Sequence, residues 1–212
     1  MSSRALPVRG APPRRRYDIG ARHGTDKAGQ RQLLHVYEEL FKPLRTTELV
    51  LVEIGVLGGA SLRMWREYFP RAQIFGIDVD PEAAAHADDR ITVLIGSQSD
   101  TRFLDTVLEQ TGRPDIVLDD GSHHARAQIT TLLHLWRHVR PGGSYVVEDL
   151  HTSYMPVYNM RWREPGTTAE FLKDVADDVN RAWHDRPVVF PDVYSLAFFQ
   201  ELCVLRKGRE AA

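Results

Sequence analysis

Two pairs of acidic residues stand where two apolar segments of the sequence end. Asp119 and Asp120 follow the first segment, and Glu148 and Asp149 follow the second. Four carboxylates in one place repel one another unless a cation lies between them, and their hard oxygens suit Mg²⁺, Mn²⁺ or Ca²⁺. We therefore predict a divalent-cation site with Asp120, Glu148 and Asp149 as ligands and Asp119 just behind them. The competing interpretation is that these acids are solvated strand ends or helix caps.

A strand–helix–strand unit is needed to bring the two pairs together. Residues 116–118 and 145–147 are short apolar runs typical of buried strands, and apolar residues at i, i+3, i+4 and i+7 over 129–136 predict a helix between them. The Pro-Gly-Gly sequence at 141–143 ends that helix. Such units place their strands in parallel, usually side by side. Both acidic pairs should then reach the C-terminal edge of the sheet, where open α/β sheets bind ligands.

A glycine-rich turn follows the strongest strand pattern, residues 49–54. The turn at 55–61 reads Gly-Val-Leu-Gly-Gly-Ala-Ser and opens a helix, so its backbone can approach a ligand closely. Its spacing matches neither a P-loop nor G-x-G-x-x-G. The next strand, 74–77, ends at Asp78, about 20 residues past Gly58, where nucleotide-type sites carry a ribose-binding acid.

The third predicted strand, 91–95, is followed by polar residues with two interpretations. Gln98 and Ser99 are well placed to contact a nucleobase at the same sheet edge. Ser99 or Asp100 could equally cap the helix that follows. The sequence does not decide between these roles.

The C-terminal third combines an aperiodic loop with an alternating pattern. Residues 150–167 are polar and aromatic, and the loop is long enough to act as a lid. A helix is predicted over 168–184. Alternation over 188–199, followed by an apolar run at 202–205, predicts a terminal antiparallel hairpin.

The N-terminal region divides into a tail and a cover. Residues 1–16 are rich in arginine, proline and serine, and we expect a disordered basic tail because they have little to bury. Residues 17–45 form a predicted helical cover that includes a helix at 33–41. We predict one domain over 17–212.

Composition limits the classes of function. The 29 acidic and 27 basic residues nearly balance, so no net charge favours a nucleic-acid or membrane partner. No apolar run approaches the length of a membrane span. The single cysteine, Cys203, is compatible with a reducing compartment, and we expect a cytoplasmic protein.

Five strand–helix units and a final hairpin resemble the Rossmann-like class I methyltransferase layout. This implies an α/β fold with a seven-stranded, mostly parallel sheet, a C-terminal antiparallel hairpin and helices on both faces. Over residues 20–207 the chain also resembles the metal-dependent sugar O-methyltransferases of antibiotic biosynthesis, of the macrolide and mycinamicin type. The motifs that carry this resemblance lie at 23–27, 53–62, 76–80, 119–124 (Asp-Asp-Gly-Ser-His-His) and 148–154.

The resemblance implies a methyl donor, a metal and a base. The donor would be S-adenosylmethionine, and the metal would be Mg²⁺, held by Asp120, Glu148 and Asp149. His123 would be the general base, with His124 as its competitor. The acceptor would be a small-molecule glycoside. The donor would contact Glu53, Gly55, Ser61, Asp78, Gln98, Ser99 and Asp119.

Three other functions fit the same motifs. A metal-dependent hydroxylase of the cephamycin type would need two histidines and one carboxylate on iron. A catechol-type methyltransferase and a non-catalytic S-adenosylmethionine-binding module are the others. We also expect that the chain can form a homo-oligomer, and that its 212 residues leave no room for the extra N-terminal domain of some relatives.

Overall fold

The computed structural model describes residues 15–29 and 33–209 of the chain. Its strands are β1 (Leu49–Ile54), β2 (Ala72–Asp78), β3 (Ile91–Ile95), β4 (Ile116–Asp119), β5 (Ser144–Val147), β6 (Val193–Phe199) and β7 (Leu202–Lys207). Its α-helices are α1 (Arg15–His23), α2 (Leu33–Phe41), α3 (Ala60–Tyr68), α4 (Thr101–Thr111), α5 (Ala125–Leu135) and α6 (Thr168–Asp178). Short 3₁₀ helices lie at Asp26–Ala28, Lys42–Leu44, Pro81–His86, Trp136–His138, Leu150–Tyr154, Pro156–Tyr158 and Arg181–Trp183. None of these described helices is long and apolar enough to cross a membrane.

The strands of the described residues form one sheet in the order β3-β2-β1-β4-β5-β7-β6. Strands β1 to β5 pair in parallel, and β7 lies antiparallel between β5 and β6. The predicted seven-stranded, mostly parallel sheet with a terminal hairpin is confirmed. The strand order reverses between β1 and β4, and open α/β sheets bind ligands at such a switch point.

Helices cover both faces of the sheet, as predicted. Helices α1, α2 and α3 pack on one face, and α4, α5 and α6 pack on the other. Successive strand residues alternate between these two layers, because strand side chains point to opposite faces in turn. Leu118 and Val146 pack with the α1–α3 layer, whereas Val117 and Val147 pack with the α4–α6 layer.

Two C-terminal boundaries differ from the sequence predictions. The helix predicted over 168–184 ends at Asp178, and the strand predicted over 188–199 begins only at Val193. The Asp178 carboxylate accounts for the late start of the strand. It accepts hydrogen bonds from the backbone N–H groups of Val189 and Phe190, at 3.0 and 2.7 Å, so these residues have no partner strand.

The N-terminal prediction also differs at one boundary. Arg15 and Arg16, assigned to the disordered tail 1–16, are the first residues of α1. The other residues of that tail lie outside the described part of the chain. Helix α1 packs on α3 through Ile19, so the cover begins earlier than the sequence pattern indicated.

Candidate active site

A cavity of about 690 Å³ opens at the C-terminal ends of the parallel strands. Its walls are the turn after β1, the end of β2, the segment after β3, the loop after β4 and part of the N-terminal turn at 24–26. Several predicted site residues line it: Gly55, Ser61, Asp78, Gln98, Ser99, Asp120, His123 and Asp149. Glu53, Asp119 and Glu148 do not line it and are at most 1% exposed. A cavity of this volume suits a ligand of nucleoside size.

Gly55 allows the central strands to meet closely beneath the cavity. Its φ is +93°, and an added Cβ would lie 2.1 Å from the backbone oxygen of Asp120. Only glycine meets both conditions without strain. The absence of a side chain at Gly55 therefore fixes how closely the turn after β1 approaches the loop after β4.

Asp78 fixes the glycine-rich turn. Its Oδ2 accepts hydrogen bonds from the backbone N–H groups of Val56 and Leu57, at 2.8 and 3.0 Å, and its Oδ1 accepts one from Asp80 at 3.0 Å. Partial burial raises the pKa of the Asp78 carboxyl, but the backbone donors outweigh it and the net pKa lies below its ordinary value. Asp78 is therefore an ionised acid on the cavity wall.

Gln98 and Asp119 join the loops beneath the cavity. Gln98 Nε2 donates to Asp119 Oδ1 at 3.0 Å, and Gln98 Oε1 accepts from the backbone N–H of Ser122 at 2.8 Å. Asp119 also accepts from the hydroxyl of Tyr145 at 3.0 Å. Burial raises the pKa of Asp119 to about 7, against the effect of these hydrogen bonds. Ser99, by contrast, is exposed at the rim.

Glu53 lies behind the glycine-rich turn. Its Oε2 accepts from Ser61 Oγ at 2.8 Å and its Oε1 accepts from Trp65 Nε1 at 3.3 Å, so it attaches α3 to β1. Burial raises the pKa of Glu53 to about 7. Ser61 lines the cavity, and Glu53 supports Ser61 from behind by accepting its hydrogen bond.

A buried lysine forms the centre of a second group of acids. We call Lys27, Glu53, Asp120 and Glu148 the lysine-centred cluster. Lys27 Nζ is 2.8 Å from Glu148 Oε1 and 3.6 Å from Glu53 Oε1, and it also donates to Asp120 Oδ2. Burial would lower the pKa of Lys27, but the three carboxylates outweigh it and hold that pKa well above its ordinary value. Tyr37 donates a further hydrogen bond to Glu148 Oε1.

The aspartate–histidine cluster lies beside it and faces the cavity. It consists of Asp120, His123 and Asp149, which offer ligand atoms within 4.8 Å of one another. His123 Nε2 is 3.4 Å from Asp149 Oδ2. Asp149 Oδ1 is 3.8 Å from Nδ1 of His151. Carboxylate oxygens and an imidazole nitrogen at these separations form a suitable ligand set for a divalent cation.

The structure therefore brings together two of the three predicted metal ligands. Asp120 and Asp149 meet at the cavity, whereas Glu148 belongs to no group of ligand atoms found among the described residues. The bonds from Lys27 and Tyr37 both go to Glu148 Oε1, so its Oε2 is not used by them. The predicted ligand set fits a cation if Glu148 contributes that second oxygen.

The same chain has clear relatives among known proteins. A family model described as "Methyltransferase domain" matches residues 52–150. The 8-demethyl-8-(2-methoxy-alpha-L-rhamnosyl)-tetracenomycin-C 3'-O-methyltransferase of Streptomyces olivaceus is 38% identical over 213 residues, covering 91% of this chain and 54% of that protein. The mycinamicin VI 2''-O-methyltransferase of Micromonospora griseorubida is 36% identical, covering 91% and 52%. Residues 52–150 belong to this methyltransferase family.

A solved structure agrees with the sequence relatives. MycE methyltransferase from the mycinamycin biosynthetic pathway, in complex with Mg, SAH and mycinamycin VI, superposes with a TM-score of 0.85 at 33% identity, covering 91% of this chain and 53% of that one. The chain thus spans about half the length of the curated relatives it matches.

The two adjacent histidines of the methyltransferase domain have different surroundings. His123 lines the cavity, with a left-handed φ of 56°. His124 precedes α5, and its ring packs edge-on against Tyr158, with centroids 5.3 Å apart. The structure thus brings His123 to the cavity and places His124 against the predicted lid.

Sequence reasoning missed Lys27 and Tyr37 as parts of the methyltransferase site. The motif at 23–27 contributes to the family resemblance and Tyr37 lies in the helix predicted at 33–41, but the sequence indicates no role for either side chain. A lysine in a short turn is normally exposed, so nothing in its local pattern marks Lys27 as buried. The excess of acids at the strand ends was the one sign that an internal cation was needed.

Proposed function

We propose that this chain is the catalytic domain of a Mg²⁺-dependent O-methyltransferase that transfers the methyl group of S-adenosylmethionine to a sugar hydroxyl of a glycosylated natural product. The observation that carries the proposal is the position of Asp120, His123 and Asp149 on the wall of the glycine-turn cavity. The names of the relatives support the substrate class, since they methylate rhamnosyl or other sugar groups of antibiotics.

The cavity offers a place for each part of the donor. The backbone around Gly55 would face the methionine portion, and Asp78 would accept hydrogen bonds from the ribose hydroxyls. Ser99, exposed at the rim, would contact the adenine end. Gln98 and Asp119 would hold the loops behind it, since their polar atoms already bond to one another.

The acids would hold the metal, and His123 would accept the proton of the sugar hydroxyl. Asp120 and Asp149 would be the ligands from the cavity side, with Glu148 Oε2 behind them. A bound divalent cation would orient the sugar hydroxyl and lower its pKa. His123 Nε2, the ring nitrogen that faces Asp149, would accept the hydroxyl proton. Asp149, whose Oδ2 lies 3.4 Å from that nitrogen, would stabilise the imidazolium that results.

The loop after β5 supplies the remaining wall. We propose that residues 150–167 act as the lid over the acceptor. Tyr154 and Trp162 are 43% and 70% exposed, which leaves apolar surface free to pack against a sugar or its aglycone. Excluding water there would protect the transfer step.

The test is a methyl-transfer assay on the full chain. The purified protein is incubated with labelled S-adenosylmethionine, Mg²⁺ and a panel of glycosylated polyketides, with and without EDTA. We expect a labelled glycoside and S-adenosylhomocysteine, both abolished by EDTA and restored by excess Mg²⁺. Transfer that survives EDTA would remove the metal from the proposal, and donor binding without transfer to any glycoside would indicate a binding module.

A further inference from the structure

One short turn of the N-terminal cover contacts both parts of the proposed site. Gly24, Thr25 and Asp26 line the donor cavity, and the next residue, Lys27, lies beneath it among the acids. The turn is well defined. Its backbone closes through Ala28 N–H to the Thr25 oxygen at 3.1 Å, and Thr25 Oγ1 accepts from the backbone N–H of Lys27 at 3.4 Å.

Lys27 ties this turn to the proposed metal ligands. Its side chain is 1% exposed, and its ammonium bonds to Asp120 Oδ2 and Glu148 Oε1. Each acid gives one oxygen to the lysine and keeps its second oxygen for another partner. A buried ammonium that loses its carboxylates is strongly disfavoured, so the turn and the two carboxylates must move together.

We propose that Lys27 is a positioning residue that couples donor binding to metal binding. This inference rests on the proposed function. A donor that fills the cavity packs against Gly24, Thr25 and Asp26 and holds the turn in place. The turn then holds Lys27, and Lys27 fixes the carboxylates of Asp120 and Glu148 for the cation. Because coupling between two ligands is reciprocal, the cation must tighten donor binding by the same factor.

The experiment measures that factor by calorimetry on the full chain. Mg²⁺ is titrated into the protein with and without saturating S-adenosylhomocysteine, and the ratio of the two dissociation constants is the coupling. We expect Mg²⁺ to bind about 5- to 50-fold more tightly in the presence of S-adenosylhomocysteine. In Lys27→Met we expect the ratio to fall to within about twofold of one.

Lys207→Met is the matched control. Lys207 is the other buried lysine among the described residues, and its ammonium donates to the backbone oxygens of Trp136 and Arg137, at 2.9 and 3.1 Å, and pairs with Asp192. It does not line the cavity. This variant loses a buried ammonium as well, so a general loss of stability would appear in both variants. We expect it to keep the wild-type ratio.

The outcomes separate this inference from the proposed function. If wild-type protein fails to bind S-adenosylhomocysteine, the proposed function falls and the inference with it. If both ligands bind but the ratio is one, or if folded Lys27→Met keeps the wild-type ratio, the inference alone is overturned. If Lys27→Met does not fold, Thr25→Val is measured instead. This variant removes the hydroxyl that caps the turn and keeps the Lys27 ammonium. An unchanged ratio in that variant also overturns the inference.

Discussion

The lysine-centred cluster and the aspartate–histidine cluster are built from neighbouring acids, yet they have opposite properties. Glu148 and Asp149 are consecutive residues. Glu148 is 1% exposed and bonded to Lys27, whereas Asp149 lines the cavity next to His123. One carboxylate is neutralised by a cation of the chain itself, and the other faces a space where an external cation fits.

The backbone explains this division. Asp120 and Glu148 lie two residues beyond Leu118 and Val146, so the strand alternation points them toward the α1–α3 layer, from which Lys27 comes. Asp149 has a left-handed φ of 54°, which takes it out of that alternation. Non-glycine residues in this conformation are strained and concentrate at functional sites. Neighbouring carboxylates therefore serve packing or chemistry according to the dihedral angles of one residue.

The largest expected effect separates the two clusters directly. Asp149→Asn removes a charged ligand facing the cavity, and we expect the methyl-transfer rate to fall on the order of 10³-fold with little change in unfolding. Glu148→Gln weakens the support of Lys27 as well as a proposed metal ligand, and we expect the free energy of unfolding to fall by about 3 kcal/mol together with a loss of rate. Initial rates and urea unfolding of both variants provide the measurement. Equal losses of stability in the two variants would show that the clusters are not distinct.

The adjacent histidines provide the next test. His123→Ala removes the proposed base, and we expect the rate to fall about 10²-fold while donor affinity stays the same. His124→Ala removes only the contact with Tyr158 and should change the rate by less than about tenfold. Single-turnover rates together with calorimetric donor affinity distinguish them. A larger loss in His124→Ala would transfer the role of base to that residue.

Two of the three glycines in the turn after β1 test how closely this turn must approach the loop after β4. Gly55→Ala places a Cβ 2.1 Å from the Asp120 oxygen at a φ of +93°, and we expect the free energy of unfolding to fall by about 2–4 kcal/mol. Gly58→Ala meets nothing within 4 Å and has no positive φ, so we expect a change below about 0.5 kcal/mol. Thermal and urea unfolding measure both. A tolerant Gly55 would mean that the turn can move away from β4.

Much of this arrangement was predictable from the sequence, because it depends on periodicity. Apolar runs, glycine turns and the βαβ rule predicted the sheet and brought Asp120, Asp149 and the glycine-rich turn to one edge. The alternation within strands also places Glu53, Asp120 and Glu148 on one face, although this requires the strand register, which the sequence alone does not provide. The pairing of Ile54 with Asp119 supplies that register.

The features that the sequence did not predict depend on contacts between residues that are distant in sequence. Lys27 lies 93 residues from Asp120 and 121 from Glu148, so no local pattern connects them. The positive φ of His123 and Asp149 is equally hidden, since neither residue is a glycine. The start of β6 was wrong for the same reason, because Asp178 bonds to backbone groups 11 and 12 residues away.

The smallest expected effect concerns the charge state of the lysine-centred cluster. The pKa of Glu53 is raised to about 7 by burial, while a glutamate in the unfolded chain titrates near 4.3. Between about pH 4.3 and 7 the folded protein holds a proton that the unfolded chain releases, so this group lowers stability as pH rises. Glu53→Gln does not titrate. Its unfolding free energy relative to wild type should become more positive between pH 5 and 8, by about 2–3 kcal/mol.

Urea unfolding at several pH values, with exposed Glu109→Gln as the control, measures that trend. Glu109→Gln should give a flat difference, because Glu109 is exposed and belongs to neither cluster. A difference that becomes more negative with pH would mean that Lys27 stabilises ionised Glu53 more than burial disfavours it. The lysine-centred cluster would then be more negative, and a cation near Asp120 would be attracted by both clusters rather than by one.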